Sequence, residues 1–276
     1  MTLQQKYEVL KRNLRDTGGI VVAFSGGVDS TFLAAVAAQE LGDRALAVTA
    51  ISPLYPKHEQ NEASELAVQI GIRHETVISD ELDVPGFAEN PPNRCYLCKS
   101  ELFTVVRAIA DKHGLSSVAD GTNADDTGDY RPGRKAAAEC GVLSPLLAAE
   151  LGKDDIRALS REMELATADK AAFACLASRF PYGTRINETK LKAVGAVEDE
   201  LRALGFRQFR VRHHEEVARI EVLPEEFAKL CAPPTRARIT KVAHEAGFPY
   251  VSADLVGYRT GSMNETLSKT QRERVA

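Results

Sequence analysis

The chain has no apolar stretch approaching the roughly 20 residues of a membrane-spanning helix, so no helical span is expected. It also lacks the apolar core of a secretory leader. Met1–Asp16 is polar and amphipathic, and a cytoplasmic protein is expected. Positive charge is not in surplus: the net charge is −4 over 276 residues. That gives no general field for nucleic acid, and none is expected as a partner. Cysteine is scarce and odd in number, at five, so structural disulfides are not expected. Low-complexity segments and obvious repeats are absent. The remaining composition is that of a globular protein, long enough for one large domain or two small ones.

One more absence is informative. Gly19–Thr31 reads as an apolar strand, a glycine turn and a helix start, yet it lacks the Gly-Lys-Ser/Thr ending of a Walker A loop. It carries Ser25-Gly26-Gly27-Val28-Asp29-Ser30 instead. Paired glycines let backbone N–H groups converge on an anion. The helix start adds free N–H groups and a positive dipole end, and Ser25 and Ser30 add hydroxyl donors. The bland alternative is a plain glycine turn. Predicted helices at 3–15, 30–41, 56–70 and 94–113 alternate with strands at 19–24, 44–50, 73–79 and 116–120, and prolines mark a loop at 80–93. This alternation predicts an α/β fold with a doubly wound parallel sheet. Ligands bind such a sheet at the carboxyl ends of its strands, where the glycine turn, Ser52 and Gly121 fall. Beyond residue 151 the pattern changes. Helices at 153–163, 188–204 and 235–246 and strands at 206–213, 217–222 and 250–256, with an irregular stretch at 166–187, predict a smaller C-terminal α+β domain. The domains are expected at 1–150 and 151–276.

Three constellations carry chemistry. Asp120-Gly121-Thr122-Asn123-Ala124-Asp125-Asp126 follows a strand, and its acids suit Mg²⁺ or a ribose or, more simply, an Asx-rich turn. Asp129-Tyr130-Arg131-Pro132-Gly133 brings a cation after it. Cys95 and Cys98 form a C-x-x-C at a helix start between Arg94 and Lys99, a setting that lowers thiol pKa values. No second C-x-x-C completes a zinc site. With Cys175, three thiolates could hold three irons of a 4Fe–4S cluster and leave the fourth open. Cys140 and Cys231 read as small buried hydrophobes. On the strand 206–213, Arg210 and Arg212 share a face about 7 Å apart, a spacing that suits a phosphate or carboxylate. Glu221 lies on the partner strand, and a solvated charged face is the alternative. The spacing of the tail Asp254–Asn264 assigns no role by itself.

The Ser-Gly-Gly-x-Asp-Ser turn resembles the PP-loop of the ATP pyrophosphatases, which split ATP into AMP and PPi. With Ser178-Arg179-Phe180-Pro181-Tyr182-Gly183, Val211-Arg212-His213, Ala218–Glu221 and Tyr258-Arg259-Thr260-Gly261-Ser262-Met263-Asn264, nearly the whole chain resembles the LarE family, sulfur insertases of nickel-pincer nucleotide synthesis. The resemblance implies a PP-loop ATP-binding domain at 1–150 and a substrate-binding, sulfur-transfer domain at 151–276. ATP with Mg²⁺ would lie on Ser25, Gly26, Gly27, Asp29, Ser30, Ser52, Gly121 and Asp125. The small-molecule nucleotide substrate would be held by Arg179, Arg210, Arg212, Glu221 and Arg259, with Arg179 or Arg259 on a carboxylate. The implied assembly is a homo-oligomer, a hexamer among the candidates. The family has two sulfur strategies: a sacrificed cysteine, or a 4Fe–4S cluster on three cysteines. The sacrificial pattern places its cysteine where this chain has Ala174 and has no C-x-x-C, which favours a cluster on Cys95, Cys98 and Cys175. Cys175 as the donor stays open. The PP-loop alone also fits an NAD synthetase-type amide ligase, a tRNA thiolase or a nucleotide-sensing module.

Overall fold

The structure, a computed structural model, describes residues 1–128, 132–171, 174–259 and 261–262. The chain forms two compact units. The first is Met1–Glu81 with Asn93–Phe173; the second is Leu82–Pro92 with the described residues from Ala174 onward.

In the first unit, α1 (Leu3–Thr17), β1 (Ile20–Ala23), α2 (Val28–Leu41), β2 (Ala45–Ile51), α3 (Lys57–Ile70) and β3 (Arg73–Ile78) follow in order. After the excursion into the second unit come α4 (Arg94–Lys112), β4 (Ser117–Ala119), α5 (Pro132–Glu139), α6 (Pro145–Ala148) and α7 (Lys153–Glu162). The sheet runs β3-β2-β1-β4 and is parallel throughout, with Ile20 paired to both Ala45 and Ser117. Alternation along the strands sorts the core into two layers. Ile20, Val22, Ala45 and Ala47 pack under α1, α2, α3 and α7. Val21, Leu46, Val48 and Val118 pack on α4 through Val106 and Ala110. The sheet is therefore doubly wound, as expected. The chain leaves β1 toward β2 and β3, then returns to β4 on the other side. The crevice between the carboxyl ends of β1 and β4 is the switch point where such sheets take ligands.

The expected domain boundary at 150 moves. Helix α7 buries Ile156 and Leu159 in the same core as Phe32 and Val36 of α2, so the division falls at 173/174. Among the described residues no helix is long and apolar enough to cross a membrane.

The second unit holds α8 (Glu188–Ala203), β5 (Phe209–His214), β6 (Val217–Val222), α9 (Phe227–Cys231), α10 (Pro233–Glu245) and β7 (Tyr250–Ala253). Strands β5 and β6 form the expected hairpin, and β7 adds parallel to β6 after the helical crossover. Helix α8 starts where the Asn187 side chain accepts the Lys190 N–H at 2.9 Å. It then buries Leu191, Val194, Val197 and Leu201 at helical spacing.

The loop after β3 is part of this second unit. Asn90, fully buried and in the left-handed region (φ 55°), donates from Nδ2 to the carbonyls of Phe180 (3.2 Å) and Pro181 (2.7 Å). Its own carbonyl accepts the Gly183 N–H, and Ala88 O accepts the Ile186 N–H. Two amide hydrogens meet two carbonyls of one turn, where the Pro181 carbonyl also accepts the Thr184 N–H (3.0 Å). Asn90→Ala should destabilise the protein by about 1–3 kcal/mol, the cost of losing two side-chain hydrogen bonds from a buried amide, and Asn90→Asp should not rescue it. Urea denaturation with unchanged midpoints would show that other contacts hold the loop.

Candidate active site

Strand β1 passes straight into the cradle. The Phe24 N–H still pairs with Val48 O (2.8 Å), and then Gly26 turns the chain at φ +69°. A Cβ on Gly26 would lie 3.2 Å from Ala63 of α3, so both the conformation and the space call for glycine. Gly27 caps α2 with no side-chain hydrogen bond, which leaves the first N–H groups of that helix open to an anion. Ser25 and Ser30 hydroxyls lie 3.1 Å apart, and Ser30 Oγ also meets the Ser25 N–H and the Gly27 carbonyl. Across the switch point Gly121 presses on the helix start: a Cβ there would stand 3.0 Å from the Ser30 nitrogen.

Two acids flank the cradle. Asp29 Oδ2 pairs with Lys153 Nζ at 2.6 Å, while Asp29 Oδ1 is buried and makes no hydrogen bond among the described residues. Asp125 Oδ2 accepts the Lys153 backbone N–H at 2.6 Å. An unsatisfied buried carboxylate oxygen beside open helix N–H groups fits a hydrated divalent cation and the phosphates it accompanies. Lys170 Nζ donates to the Gly26 carbonyl (3.1 Å) and pairs with Glu62 (2.9 Å). No motif announces Lys153 or Lys170, because neither lies in the glycine turn and only the fold brings them to it.

The strand beside β1 braces the cradle from below. Thr49 Oγ1 donates to the Phe24 carbonyl (2.8 Å) and therefore accepts from His74 Nε2 (2.8 Å). Further along, the buried Ser52 hydroxyl donates to Glu81 Oε2, and Cys98 Sγ reaches Glu81 Oε1 at 4.0 Å. Burial pushes the Glu81 carboxyl up, against the pull of the Ser52 hydroxyl. Ser52 is thus tied inside the fold rather than left open at the strand end. Cys95 is exposed and Cys98 half-buried, one turn apart at the start of α4.

In the second unit the guanidinium groups of Arg179, Arg210 and Arg212 are buried with the carboxylates of Glu198 and Glu221. Arg179 is matched by Glu198 and Arg212 by Glu221. Arg210 and Arg212 point to one face of β5, as the spacing predicts, opposite Glu221 and Arg219 of β6. Arg212 Nη2 grips Glu221 Oε2 (2.7 Å) and the Ser262 hydroxyl (2.8 Å), and Nη1 donates to Ser178 O (2.9 Å). Its Nε is buried without a hydrogen bond among the described residues. Arg210 lies 5.1 Å from the Tyr258 ring centroid. Burial, with Arg179 nearby, pushes its pKa down to about 10. Gly257 makes this tail possible: at φ +79° it places a hypothetical Cβ only 2.8 Å from Val222 O, while Tyr258 N–H bonds that same carbonyl.

The cradle has counterparts elsewhere. A family model described as NAD synthase matches residues 2–85, the strand–turn–helix half of the first unit. The pyridinium-3,5-bisthiocarboxylic acid mononucleotide synthase of Lactiplantibacillus plantarum is 38% identical over 98% of each chain. The chain belongs to the LarE family. An uncharacterised Synechocystis protein is 42% identical over 97% of this chain and all of its own, and one from Methanocaldococcus jannaschii 29% identical over 94% of this chain.

The structure brings some of the residues expected at the site together and separates others. Ser25, Gly26, Gly27, Asp29, Ser30, Gly121 and Asp125 gather at one sheet edge. Arg210, Arg212 and Glu221 gather on one hairpin. Arg179 departs from the expectation of a free carboxylate fork. It is fully buried, and both Nε and Nη2 engage Glu198 at 2.8 Å. Arg259 is partly exposed and donates to the Gly257 carbonyl. Asp129, Tyr130, Arg131, Thr260, Met263 and Asn264 lie outside the described residues. Among the described residues no three His, Cys, Asp or Glu side chains gather into a metal-holding group. Cys95 and Cys98 belong to the first unit and Cys175 to the second.

His74 makes the brace sensitive to acid. Burial holds its imidazole below the ordinary 6.5, so the unfolded chain takes up the proton first as the pH falls. Its stabilising contribution is present above about pH 6.5 and is lost as pH drops toward the lower folded value. Between about pH 7.5 and about pH 5.5 the wild type should lose more thermal stability than His74→Gln, which keeps a donor to Thr49 but does not titrate. Parallel Tm profiles for the two proteins would overturn this assignment.

Proposed function

We propose that this chain is an ATP-dependent sulfur transferase that adenylates a carboxylate of pyridinium-3,5-biscarboxylic acid mononucleotide and replaces oxygen with sulfur. The observation that carries the reading is the open start of α2 with the unsatisfied Asp29 Oδ1 beside it. The full-length likeness to the L. plantarum synthase narrows the substrate. The match to the NAD synthase model covers only the shared ATP-binding half, so it does not favour an amide ligase.

Gly26, Gly27 and Ser30 hold the ATP phosphates, and Asp29 or Asp125 would hold the accompanying Mg²⁺. The substrate carboxylate attacks the α-phosphorus, the bond to the bridging oxygen breaks, and PPi leaves on the helix N-terminus. AMP then activates the acyl carbon toward sulfur, and AMP departs as sulfur bonds. Arg210 and Arg212 bind the substrate phosphate, and Arg259 lies at the same hairpin for a carboxylate. Much of the rate comes from positioning and fixed charge.

For the sulfur source the donor chemistry of Cys95, Cys98 and Cys175 suits a 4Fe–4S cluster, which would supply sulfide at an open iron. The second reading makes the Cys175 thiolate the nucleophile: it displaces AMP to form a thioester, and loss of the Cα proton to water with cleavage of the Cβ–S bond leaves the thiocarboxylate on the product and dehydroalanine in the chain. We further read the enzyme as a cytoplasmic homo-oligomer acting on a small molecule, without nucleic acid or membrane.

The nucleotide products should be AMP and PPi, and Asp29→Ala should abolish their release; ADP as product would sink the PP-loop assignment. Arg210→Ala should raise the substrate KM by about tenfold to a hundredfold, since a charge-assisted contact contributes roughly 1.5–3 kcal/mol. An unchanged KM would place the phosphate elsewhere. Anaerobic protein with full turnover, no iron, and Cys175 converted to dehydroalanine by mass spectrometry would assign the sulfur to that residue.

A further inference from the structure

The segment that carries Cys175 is held by a guanidinium that the sequence pattern assigns to substrate. Arg179 ends the 3₁₀ turn Leu176–Arg179 that begins just after Cys175. Its Nη1 donates to the carbonyls of Ala174 (2.7 Å) and Cys175 (3.2 Å) and to the Ser178 hydroxyl (2.7 Å). Nε and Nη2 close a two-point grip on the carboxylate of Glu198, which is itself fully buried in the apolar stripe of α8. Glu198 Oε1 also accepts the backbone N–H of Val211 at 2.9 Å. Val211 is the residue between Arg210 and Arg212. A second tie runs in parallel, from Arg212 Nη1 to the carbonyl of Ser178.

We propose that Arg179 is the positioning residue for Cys175. One edge of its guanidinium fixes the carbonyls on either side of Cys175, and the other edge is registered through Glu198 to the strand that carries Arg210 and Arg212. The Cys175 sulfur and the anion-binding arginines are thereby held in one hydrogen-bonded frame. This inference rests on the reading that Cys175 takes part in sulfur transfer. It reassigns Arg179 away from the substrate carboxylate. A lysine cannot do the same work, because a single ammonium on Glu198 cannot also span the two carbonyls. A buried ion pair also adds little net stability over an apolar replacement, so its geometry is the property that a function would use.

The test compares Arg179→Lys with wild type in the full chain, with ATP and the biscarboxylate nucleotide. Release of PPi and the substrate KM should stay within about twofold, while sulfur incorporation falls about tenfold or more, as expected when a reacting atom is displaced. Peptide-resolved alkylation by iodoacetamide should speed up several-fold at Cys175 and not at Cys140. Glu198→Gln, which removes the charge at nearly constant volume, should give the same pattern and carries the test if Arg179→Lys does not fold. A raised substrate KM with unchanged Cys175 alkylation would overturn the proposal and return Arg179 to the substrate. Wild-type sulfur transfer by Cys175→Ser would instead overturn the role of Cys175, whatever the alkylation rates report about Arg179.

Discussion

The first unit is organised around the unpaired start of one buried helix. Helix α2 is apolar on nearly every side, with Phe32, Leu33 and Val36 wholly enclosed, so it cannot shift without opening the core. Its first N–H groups nevertheless have no side-chain cap. Leaving them unmet costs free energy that only solvent or an anion can offset. The neighbouring choices follow from that one constraint. Gly26 turns the chain without obstructing the donors, Gly121 lets the β4 loop lie against the helix start, and Lys153 balances the acid in the first turn. Thr49 and His74 then keep the base of the turn from moving.

The second unit meets a different difficulty. A three-stranded sheet with two main helices has a small core, and this one contains five charged side chains at its centre. They are tied together most densely at Glu198, which serves a guanidinium and a backbone amide at once. Such a network is rigid when complete and costly when broken. The aromatic packing of His213 between Phe180 (4.9 Å) and Phe248 (5.3 Å) stiffens the same hairpin. Burial holds that imidazole below its ordinary pKa, so it packs as a neutral ring.

Much of this was legible from the residues. The glycine turn between an apolar strand and a helix is a local pattern, and the alternation of elements up to Ala119 predicts the doubly wound sheet correctly. The hairpin and the shared face of Arg210 and Arg212 follow from the two-residue period of a strand. What was not legible depends on contacts distant in sequence. Nothing near Asn90 says that its amide serves carbonyls at 180 and 181, so the stretch around it reads as a loop of the first domain. Arg179 looks like a ligand because its motif is polar and short, and its burial depends on a glutamate 19 residues away. Helix α7 continues the first core, although the composition shifts before it. Strand β5 begins at Phe209 rather than 206, because Gly205 at φ +74° and the Phe206 N–H to Leu201 carbonyl bond still belong to the end of α8.

The membership of residues 82–92 in the second unit has a consequence for how the protein is made. The amide of Asn90 waits for partners that lie 90 and 91 positions downstream. At roughly 5–20 residues per second, translation separates them by roughly 5–18 seconds. The elements of the first unit all precede residue 174, so they have been synthesised while the insert at 82–92 still awaits its partners. Phe87, almost entirely enclosed in the mature fold, belongs to the same waiting insert. The interval in which the Asn90 amide lacks its partners is therefore set by elongation speed and not by the depth of the final energy minimum.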